Sequence, residues 1–290
     1  MNKKYIKFIL ISFSFLLIYL AFINANLVGS SIQQSLKLFT SKVFPFLFIM
    51  MVINNFLIGM NLPYYIYKIF PNIYIYIFIF SALSGSPINA IIINKLLEEA
   101  ELNETQASYA LCFSTLNNPL FLYNYFNILF NNNNLIIKLF IIIYVSNILI
   151  LLYTIIRHPI NKSLILQNKE CSPAKELVAA IKNSTLNLIT IFTTIAFFKL
   201  ITDLLLPSNN ILSVIIKGLT EITQGLNSIC ILNVSIKTKE LLTLVILSFA
   251  GFSIHIQISS ILEKYNINYK YFYLSRLFLM IISIIIICLS

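Results

Sequence analysis

The segment IYIYIFIFSALSGSPINAIIINKLL, residues 73–97, is apolar except for a break at Ser84-Gly85-Ser86-Pro87 and a few polar positions after it. A second apolar segment, residues 107–129, is interrupted in the same way by Asn117-Asn118-Pro119. A bilayer tolerates non-helical backbone only where protein or water shields it, so such breaks indicate a lined cavity. Many secondary transporters form their substrate site from discontinuous helices near the middle of the membrane. The two breaks therefore favour a transporter over an enzyme.

The composition places most of the chain in lipid. Hydrophobic residues make up 59% of the 290 residues, charged residues make up 10%, and the mean hydropathy is +0.88. Soluble domains carry about 25% charged residues. The apolar runs are continuous rather than alternating, which predicts helices and not a barrel. The predicted fold class is all-α: a polytopic membrane protein of eight or nine helical segments, two of them broken or re-entrant.

Nine candidate segments approach the roughly 20 residues needed to cross the hydrocarbon: residues 5–28, 43–59, 73–97, 107–129, 135–156, 177–206, 211–234, 241–262 and 271–289. They form a single transporter domain with two halves, residues 1–157 and 177–290. The polar linker between them, residues 158–176, is expected to face the cytoplasm with the lysine-rich N-terminus. Five spans would put the linker on the opposite side, and a re-entrant hairpin at one break would remove this conflict.

The two halves resemble each other weakly in sequence. Residues 36–58 match residues 181–203 in spacing, and residues 85–90 align without gaps on residues 251–256. Polar interruptions at corresponding points are expected of transporters built from repeats. In a chain rich in isoleucine and leucine, however, many such matches also arise by chance.

Several other functions are disfavoured by the sequence. The net charge of +10 comes from lysines and arginines spread through short loops, which is typical of the positive-inside bias and not of nucleic-acid binding. The four cysteines lie far apart and suggest neither a disulfide framework nor a metal site. Zinc-hydrolase, serine-hydrolase and phosphate-loop motifs are absent, so we expect neither enzyme activity nor a cofactor. The N-terminal segment lacks a small-x-small cleavage pattern and is expected to remain as the first span.

Each break has the residues that begin a helix. Proline fits the first helical position, and a serine or asparagine before it caps the exposed amides. Ser86-Pro87 and Asn118-Pro119 are therefore each predicted to start a half-helix within the membrane. Two helix N-termini facing one cavity would favour an anion. The alternative is a pair of proline kinks packed against neighbouring helices. The polar residues expected to line the cavity are Ser86, Asn89, Ser114, Thr115, Asn117 and Asn118.

The second half contributes two further groups of polar residues. Lys199 and Asp203 lie four residues apart on one helical face and are predicted to pair. The pair belongs either near the headgroups or in a cavity where Lys199 attracts an anion. His255 and Gln257 stand in an apolar run and are candidate substrate-binding residues. A lone histidine there is also compatible with a hydrogen-bonded core residue or a proton relay.

Glu221 lies in a segment opened by two glycines, Gly218 and Gly225, which allow close helix packing. A buried glutamate needs a partner, and Lys199, Arg276 or the nearby Lys217 could supply it. Glu221 is also a candidate for carrying a coupling proton. Arg276, about one turn inside the last segment, is expected to extend toward the headgroups.

The order and spacing of these motifs resemble the YlbJ (SpoVV-like) sporulation integral membrane proteins, which contain the nucleoside-recognition gate domain. The resemblance covers nearly the whole chain. It runs through residues 43–48 (VFPFLF), 84–90 (SGSPINA), the acidic stretch 96–104, 110–121 (ALCFSTLNNPLF), 218–225 (GLTEITQG) and 249–257 (FAGFSIHIQ). The family tends to have Gly-Tyr-Pro-x-Gly-Ala at the first break and Asn-Asn-x-Gly-Pro at the second, and this chain differs at both. The resemblance implies carriage of dipicolinate across the outer forespore membrane toward the spore.

The predicted function is therefore membrane transport of a small organic anion, with dipicolinate as the substrate that the resemblance implies. The expected partners are this anion and the lipid bilayer. One alternative is a gate-domain transporter of nucleosides or another small metabolite. Another is a membrane scaffold for spore-envelope assembly that transports nothing. The sequence determines neither the coupling ion, nor the direction of transport, nor the oligomeric state.

Overall fold

The computed structural model describes residues 3–160, 172–206, 208 and 210–289, which form fifteen α-helices and no strand. Most of the polar linker, residues 161–171 with Cys171, lies outside the described residues. Five helical stretches are long and apolar enough to cross a membrane: Ala25–Gly59, Asn133–Arg157, Pro173–Leu205, Ile236–Ile261 and Tyr269–Leu289. The predicted all-helical fold is thus confirmed, and these five stretches agree with the predicted membrane protein, whereas the count of eight or nine segments stays a prediction.

The first half begins with an N-terminal helix, α1 (Lys3–Ile23), whose apolar side chains are largely exposed. Helices α2 (Ala25–Leu38) and α3 (Phe44–Gly59) follow, joined without a break by a π-helical turn, Phe39–Val43. The remaining helices of this half are α4 (Leu62–Ile69), α5 (Ile73–Ser84), α6 (Ile88–Glu98), α7 (Glu104–Ser114), α8 (Pro119–Phe130) and α9 (Asn133–Arg157).

The second half repeats the order of these elements. Its helices are α10 (Pro173–Leu205), α11 (Ile211–Thr220), α12 (Ile222–Ile231), α13 (Ile236–Phe249), α14 (Gly251–Ile261) and α15 (Tyr269–Leu289). In each half a long helical stretch precedes a hairpin of two short helices, then a helix broken near its middle, then a long uninterrupted helix; the first half has one further short helix, α4, before its hairpin. The long stretches of the two halves pack against each other, because α10 lies along both α2 and α3.

The short helices fold back on each other as hairpins. Helices α11 and α12 have 10 residues each, or about 15 Å, half the hydrocarbon thickness. They cross so closely that a β-carbon on Gly225 would lie 2.2 Å from the Gly218 Cα. Helices α5 and α6 likewise pack against each other and against α7. Two hairpins therefore end inside the helical bundle, with their tips at residues 85–87 and at Glu221.

The other two breaks interrupt helices that continue onward. Helix α7 packs on α9 and α15, whereas α8 packs on α9, α3 and α12. Helices α13 and α14 together form one apolar stretch of 26 residues. The order of elements therefore pairs the hairpin at Gly85 with the hairpin at Glu221. The gapless sequence alignment instead matched residues 85–90, at a hairpin tip, with residues 251–256, in a broken helix. The order of helices in the structure does not correspond to that alignment.

Helix α9 shows how the bundle meets lipid. Ile137, Ile141 and Val145 recur every four residues on one face and are exposed. Leu139 and Ile143 on the opposite face are buried in the bundle. An apolar face exposed over this length suits a hydrocarbon solvent and not water.

Candidate functional site

Each of the four breaks has a local cause in the sequence. Gly85 adopts φ +79° and ψ 172°, a conformation that is essentially restricted to glycine. Asn118 and Glu221 are extended or near-extended residues whose side chains cap the following helix. At the fourth break, Ala250 and Gly251 both have positive φ, +69° and +62°. These residues end one half-helix and begin the next within one to four positions.

The two breaks of the first half are joined through Asn118. Its side-chain oxygen accepts hydrogen bonds from the Leu120 and Phe121 N–H groups, at 2.9 and 3.1 Å, which confirms the predicted cap of α8. Its amide nitrogen donates to the Leu83 carbonyl in the last turn of α5, at 2.9 Å. The backbone adds a bond from the Ser86 N–H to the Leu116 carbonyl, at 2.8 Å. The tip of the first hairpin is therefore fixed to the break in the next helix.

The first hairpin differs from the prediction at its tip. Helix α6 begins at Ile88, with Pro87 before its first residue and without a side-chain cap. The Ser86 hydroxyl has no hydrogen-bond partner among the described residues. The expected cap at Ser86-Pro87 was therefore wrong, because the close approach of Asn118 leaves the backbone of residues 85–87 in a turn that extends past Ser86.

All four breaks meet at one cavity of about 50 Å³. A water molecule requires about 10–15 Å³ on this measure, so the cavity has room for a few waters. Its wall includes the first turns of α8, α12 and α14 and the residue before α6. The polar and helix-breaking residues that line it are Gly85, Ser86, Pro87, Asn117, Asn118, Thr194, Glu221, Thr223, Ser253 and Gln257. The Ser86 hydroxyl and the Gln257 side-chain oxygen face no hydrogen-bond partner among the described residues, so water or a ligand is needed to satisfy them.

Side chains bind the carbonyl ends of the half-helices near the cavity. The carbonyl end of α7 is occupied by Arg276, which donates to the Thr115 oxygen at 2.9 Å and to the Cys112 oxygen. The carbonyl end of α13 is occupied by His255, whose Nε2 lies 2.8 Å from the Phe249 oxygen. The Leu83 oxygen of α5 is taken by Asn118, as described above. The amide ends of α8, α12 and α14 lie in the cavity wall. Asn118 caps the first and Glu221 the second, so that α14 is the one of the three that no described side chain caps.

Arg276 was expected to extend toward the headgroups, and this was wrong. Its side chain is 1% exposed and is enclosed by α7, α9 and α15, with Asn147 as a further partner at 3.5 Å. The guanidinium carries several donors in a fixed plane and can therefore hold carbonyls on one helix and an amide on another. An unwound helix end needs such a partner, and the sequence alone could not show which break would supply one.

Glu221 is the charged residue in the wall of the cavity among the described residues. Its carboxylate accepts hydrogen bonds from the Gln224 N–H, at 2.8 Å, and from the Thr223 hydroxyl. None of the described lysines and arginines lies within ion-pair distance of it. The expected pairing with Lys199, Arg276 or Lys217 was therefore wrong, because the carboxylate turns back to cap its own helix.

The other predicted residues separate into four groups. Ser86, Asn117, Asn118 and Gln257 line the cavity. Asn89 lies behind it, fully buried, and donates to the Ser114 and Thr115 hydroxyls at 3.3 and 3.1 Å. His255 is 3% exposed and packs among aromatic rings, including those of Phe272 and Phe249, as the hydrogen-bonded core interpretation predicted. The last group is Lys199, which lines a different cavity.

The Lys199–Asp203 pair is formed, as the four-residue spacing predicted. Asp203 also accepts from the Ser31 hydroxyl at 2.8 Å and from the Gln224 side-chain amide at 3.2 Å. Both residues line a polar cavity of about 250 Å³ between α2, α10, α11 and α12. The pair therefore lines a cavity, and its position relative to the headgroups stays a prediction.

Two residues of this region were not predicted. Lys42 lies in the π-helical turn, at the middle of the 35-residue stretch Ala25–Gly59. We expected Lys42 to lie between two spans, residues 5–28 and 43–59. The apolar stretch in fact runs without interruption from Ala25 to Gly59, so Lys42 lies inside it. Ser253, on α14, lines the central cavity, although its position two residues before His255 did not indicate this.

No protein-family model, no curated protein and no solved structure matches this chain. Its fold is an all-helical, multi-span membrane fold with four interrupted segments around one cavity. What this cavity does must therefore be inferred from the geometry of its own residues.

Proposed function

We propose that this protein is a membrane transporter for a small organic anion and has no catalytic role. The observation that carries the proposal is the convergence of four helix breaks on one cavity. Non-helical backbone at membrane depth is costly unless it lines a cavity or is buried in protein. Four such breaks with unsatisfied polar atoms are more than a structural scaffold requires.

The helix ends favour an anion over a cation. The first turns of three half-helices lie in the wall, and an α-helix carries about half a positive charge at this end. Asn118 caps α8 and Glu221 caps α12, whereas no side chain among the described residues caps α14. The opposite ends of α5, α7 and α13 are covered by Asn118, Arg276 and His255. In the part of the chain that the structure describes, the helix ends at the cavity that have no side-chain cap are therefore the amide ends of α6 and α14, and these favour an anion.

Glu221 opposes this preference unless it carries a proton. A carboxylate beside a bound anion raises the energy of both, and protonation of Glu221 removes that repulsion. We therefore assign Glu221 as the coupling group: a proton on its carboxyl accompanies the anion. This role is compatible with its position, since it lies in the cavity wall at the tip of a hairpin that a small motion could displace.

The repeated order of elements supports alternating access. The repeated units are α2–α9 and α10–α15, which leaves α1 outside the repeat. If the long stretch, the broken helix and the last helix of each unit cross the membrane while the hairpin re-enters, each unit crosses three times. An odd number places the second half in the inverted orientation, which is the arrangement of many transporters. The cavity of about 50 Å³ has room for a few waters, so binding of a ring-sized anion requires the hairpins to separate.

The substrate that we propose is dipicolinate, carried across the outer forespore membrane. This choice rests on the resemblance to the sporulation membrane proteins, and a small dianion agrees with the amide-lined cavity. Uptake of labelled dipicolinate into proteoliposomes tests it, with nucleosides as competitors and a known carrier as positive control. Saturable uptake that nucleosides do not inhibit is expected. Inhibition by nucleosides would favour the nucleoside alternative, and absence of uptake beside a working control would reject dipicolinate.

A further inference from the structure

The polar cavity next to the central one has the character of a binding site. It is lined by uncharged polar groups, by the Lys199–Asp203 ion pair and by Lys217. Ionisable groups within membrane segments commonly mark substrate or ion pathways. Its lining includes Lys199, Asp203, Gln224, Asn227 and Ser228.

The two cavities share the same helices and lie about one turn apart. On α10, Ile195 lines the central cavity and Lys199 lines the polar cavity. Four residues of helix correspond to about 6 Å. On α12, Thr223 lines the first and Gln224 the second, so that consecutive residues belong to the two cavities. The cavities are therefore adjacent compartments along one axis.

Lys42 stands in the partition between them. Its ammonium donates to the Asn227 side-chain oxygen at 2.8 Å and lies 5.8 Å from the centre of the Tyr125 ring. Its neighbour Val43 lines the central cavity, and Leu38, four residues before Lys42, lines the polar cavity. The π-helical turn that presents Lys42 is a rare local structure that recurs at functional sites.

The partition between the two cavities is held by polar hydrogen bonds that a ligand could replace. Gln224 donates its backbone N–H to Glu221 on the central side and its side-chain amide to Asp203 on the other side. Its side-chain oxygen accepts from the Thr202 hydroxyl at 2.6 Å. A ligand carboxylate can replace the Asn227 oxygen at Lys42, because hydrogen bonds between charged groups are stronger than those to neutral amides.

We propose that the polar cavity is a second binding station for a small carboxylate, in line with the central cavity, and that the Lys42–Asn227 contact closes the passage between them. Lys199 and Lys217 supply positive charge in the polar cavity, and Lys42 supplies it at the passage itself. The inference rests on the proposed function because it makes the polar cavity part of the anion's path. Its test does not depend on the identity of the transported substrate.

Charge-selective thiol labelling tests this path in the full chain, reconstituted in nanodiscs. The native cysteines are first replaced by serine, and Ser228→Cys is then introduced in the polar cavity. Its rates of reaction with a sulfonate-bearing and a quaternary-ammonium-bearing methanethiosulfonate of similar size are compared. We expect the anionic reagent to react about tenfold faster, relative to the same ratio at the exposed control Ser260→Cys. Benzoate should slow labelling of the cavity cysteine and leave the control unchanged.

Ser253→Cys reports on passage into the central cavity. We expect Lys42→Gln to abolish the anion preference at this position while preserving it at Ser228→Cys, and Lys42→Arg to retain it at both. Each variant is first shown to be monodisperse. A preference for the cationic reagent at Ser228→Cys, or no reaction with either, overturns the second station. An unchanged preference at Ser253→Cys in Lys42→Gln overturns the role of Lys42.

The two proposals fail in distinguishable ways. Absence of dipicolinate uptake with anion preference retained at Ser228→Cys rejects the substrate and supports the second station. Uptake of dipicolinate without that preference supports the transporter and rejects the second station.

Discussion

Gly85 lies directly against the backbone of Asn118, although 33 residues separate them in the chain. A β-carbon on Gly85 would lie 2.7 Å from the Asn118 nitrogen and 3.2 Å from its β-carbon. The Asn118 side chain meanwhile reaches across to the Leu83 carbonyl. The tip of the first hairpin and the second break therefore act as one structural unit, and each depends on the shape of the other.

Substitution of Gly85 by alanine should destabilise the protein. The backbone conformation alone costs a non-glycine residue about 1–3 kcal/mol, and the contact with the Asn118 backbone cannot relax by a side-chain rotation. The measurement is the temperature at which detergent-solubilised protein loses its monodisperse peak. Gly29→Ala is the matched control, because no atom lies within 4 Å of the position that its methyl group would take. Equal melting temperatures for the two variants would contradict the packing described above.

The two glycines of the second hairpin should differ in sensitivity. A β-carbon on Gly225 meets the Gly218 Cα at 2.2 Å, whereas one on Gly218 meets the Ile246 side chain at the same distance. Backbone cannot move aside without separating α11 from α12, but an isoleucine side chain can change rotamer. We expect Gly225→Ala to lower the melting temperature more than Gly218→Ala does. A larger loss at Gly218 would show that the hairpin does not cross at Gly225.

Arg276→Met should be strongly destabilising. It leaves the Thr115 and Cys112 carbonyls without their donor, and each buried unsatisfied group costs about 1–3 kcal/mol. Arg276→Lys keeps the charge but loses the planar arrangement of donors, so it should recover only part of the stability. Arg157→Met, at the exposed end of α9, is the control and should change stability by less than about 1 kcal/mol. The melting temperatures of the three variants test this prediction. A wild-type melting temperature for Arg276→Met would show that Arg276 is not needed to stabilise the end of α7.

Glu221→Gln should remove the pH dependence of anion uptake. In the wild type, uptake should rise as the pH falls, because a protonated Glu221 no longer repels the anion. Glutamine retains an oxygen that can accept from the Gln224 N–H, so the cap of α12 survives. Initial rates in proteoliposomes across a pH series measure this, with the exposed Glu263→Gln as control. A pH dependence that persists in Glu221→Gln would assign the coupling proton to another group.

The sequence predicted those features that depend on residues close together in the chain. Continuous apolar runs gave the helical membrane fold, Asn118-Pro119 gave the cap of α8, and the four-residue spacing gave the pairing of Lys199 with Asp203. The reason is that a helix start and a pair one turn apart are determined by a few neighbouring residues.

Only the tertiary structure determined which helix breaks contact each other and which hydrogen-bond partner each charged side chain has. Arg276 sits 161 residues from the Thr115 carbonyl that it binds, and Lys42 sits 185 residues from Asn227. The fold-back of α11 on α12 and the placement of Lys42 within a span likewise depend on how the two halves pack. A buried polar group takes whichever partner the folded bundle brings within reach, and many arrangements of the same helices would satisfy the same local sequence preferences.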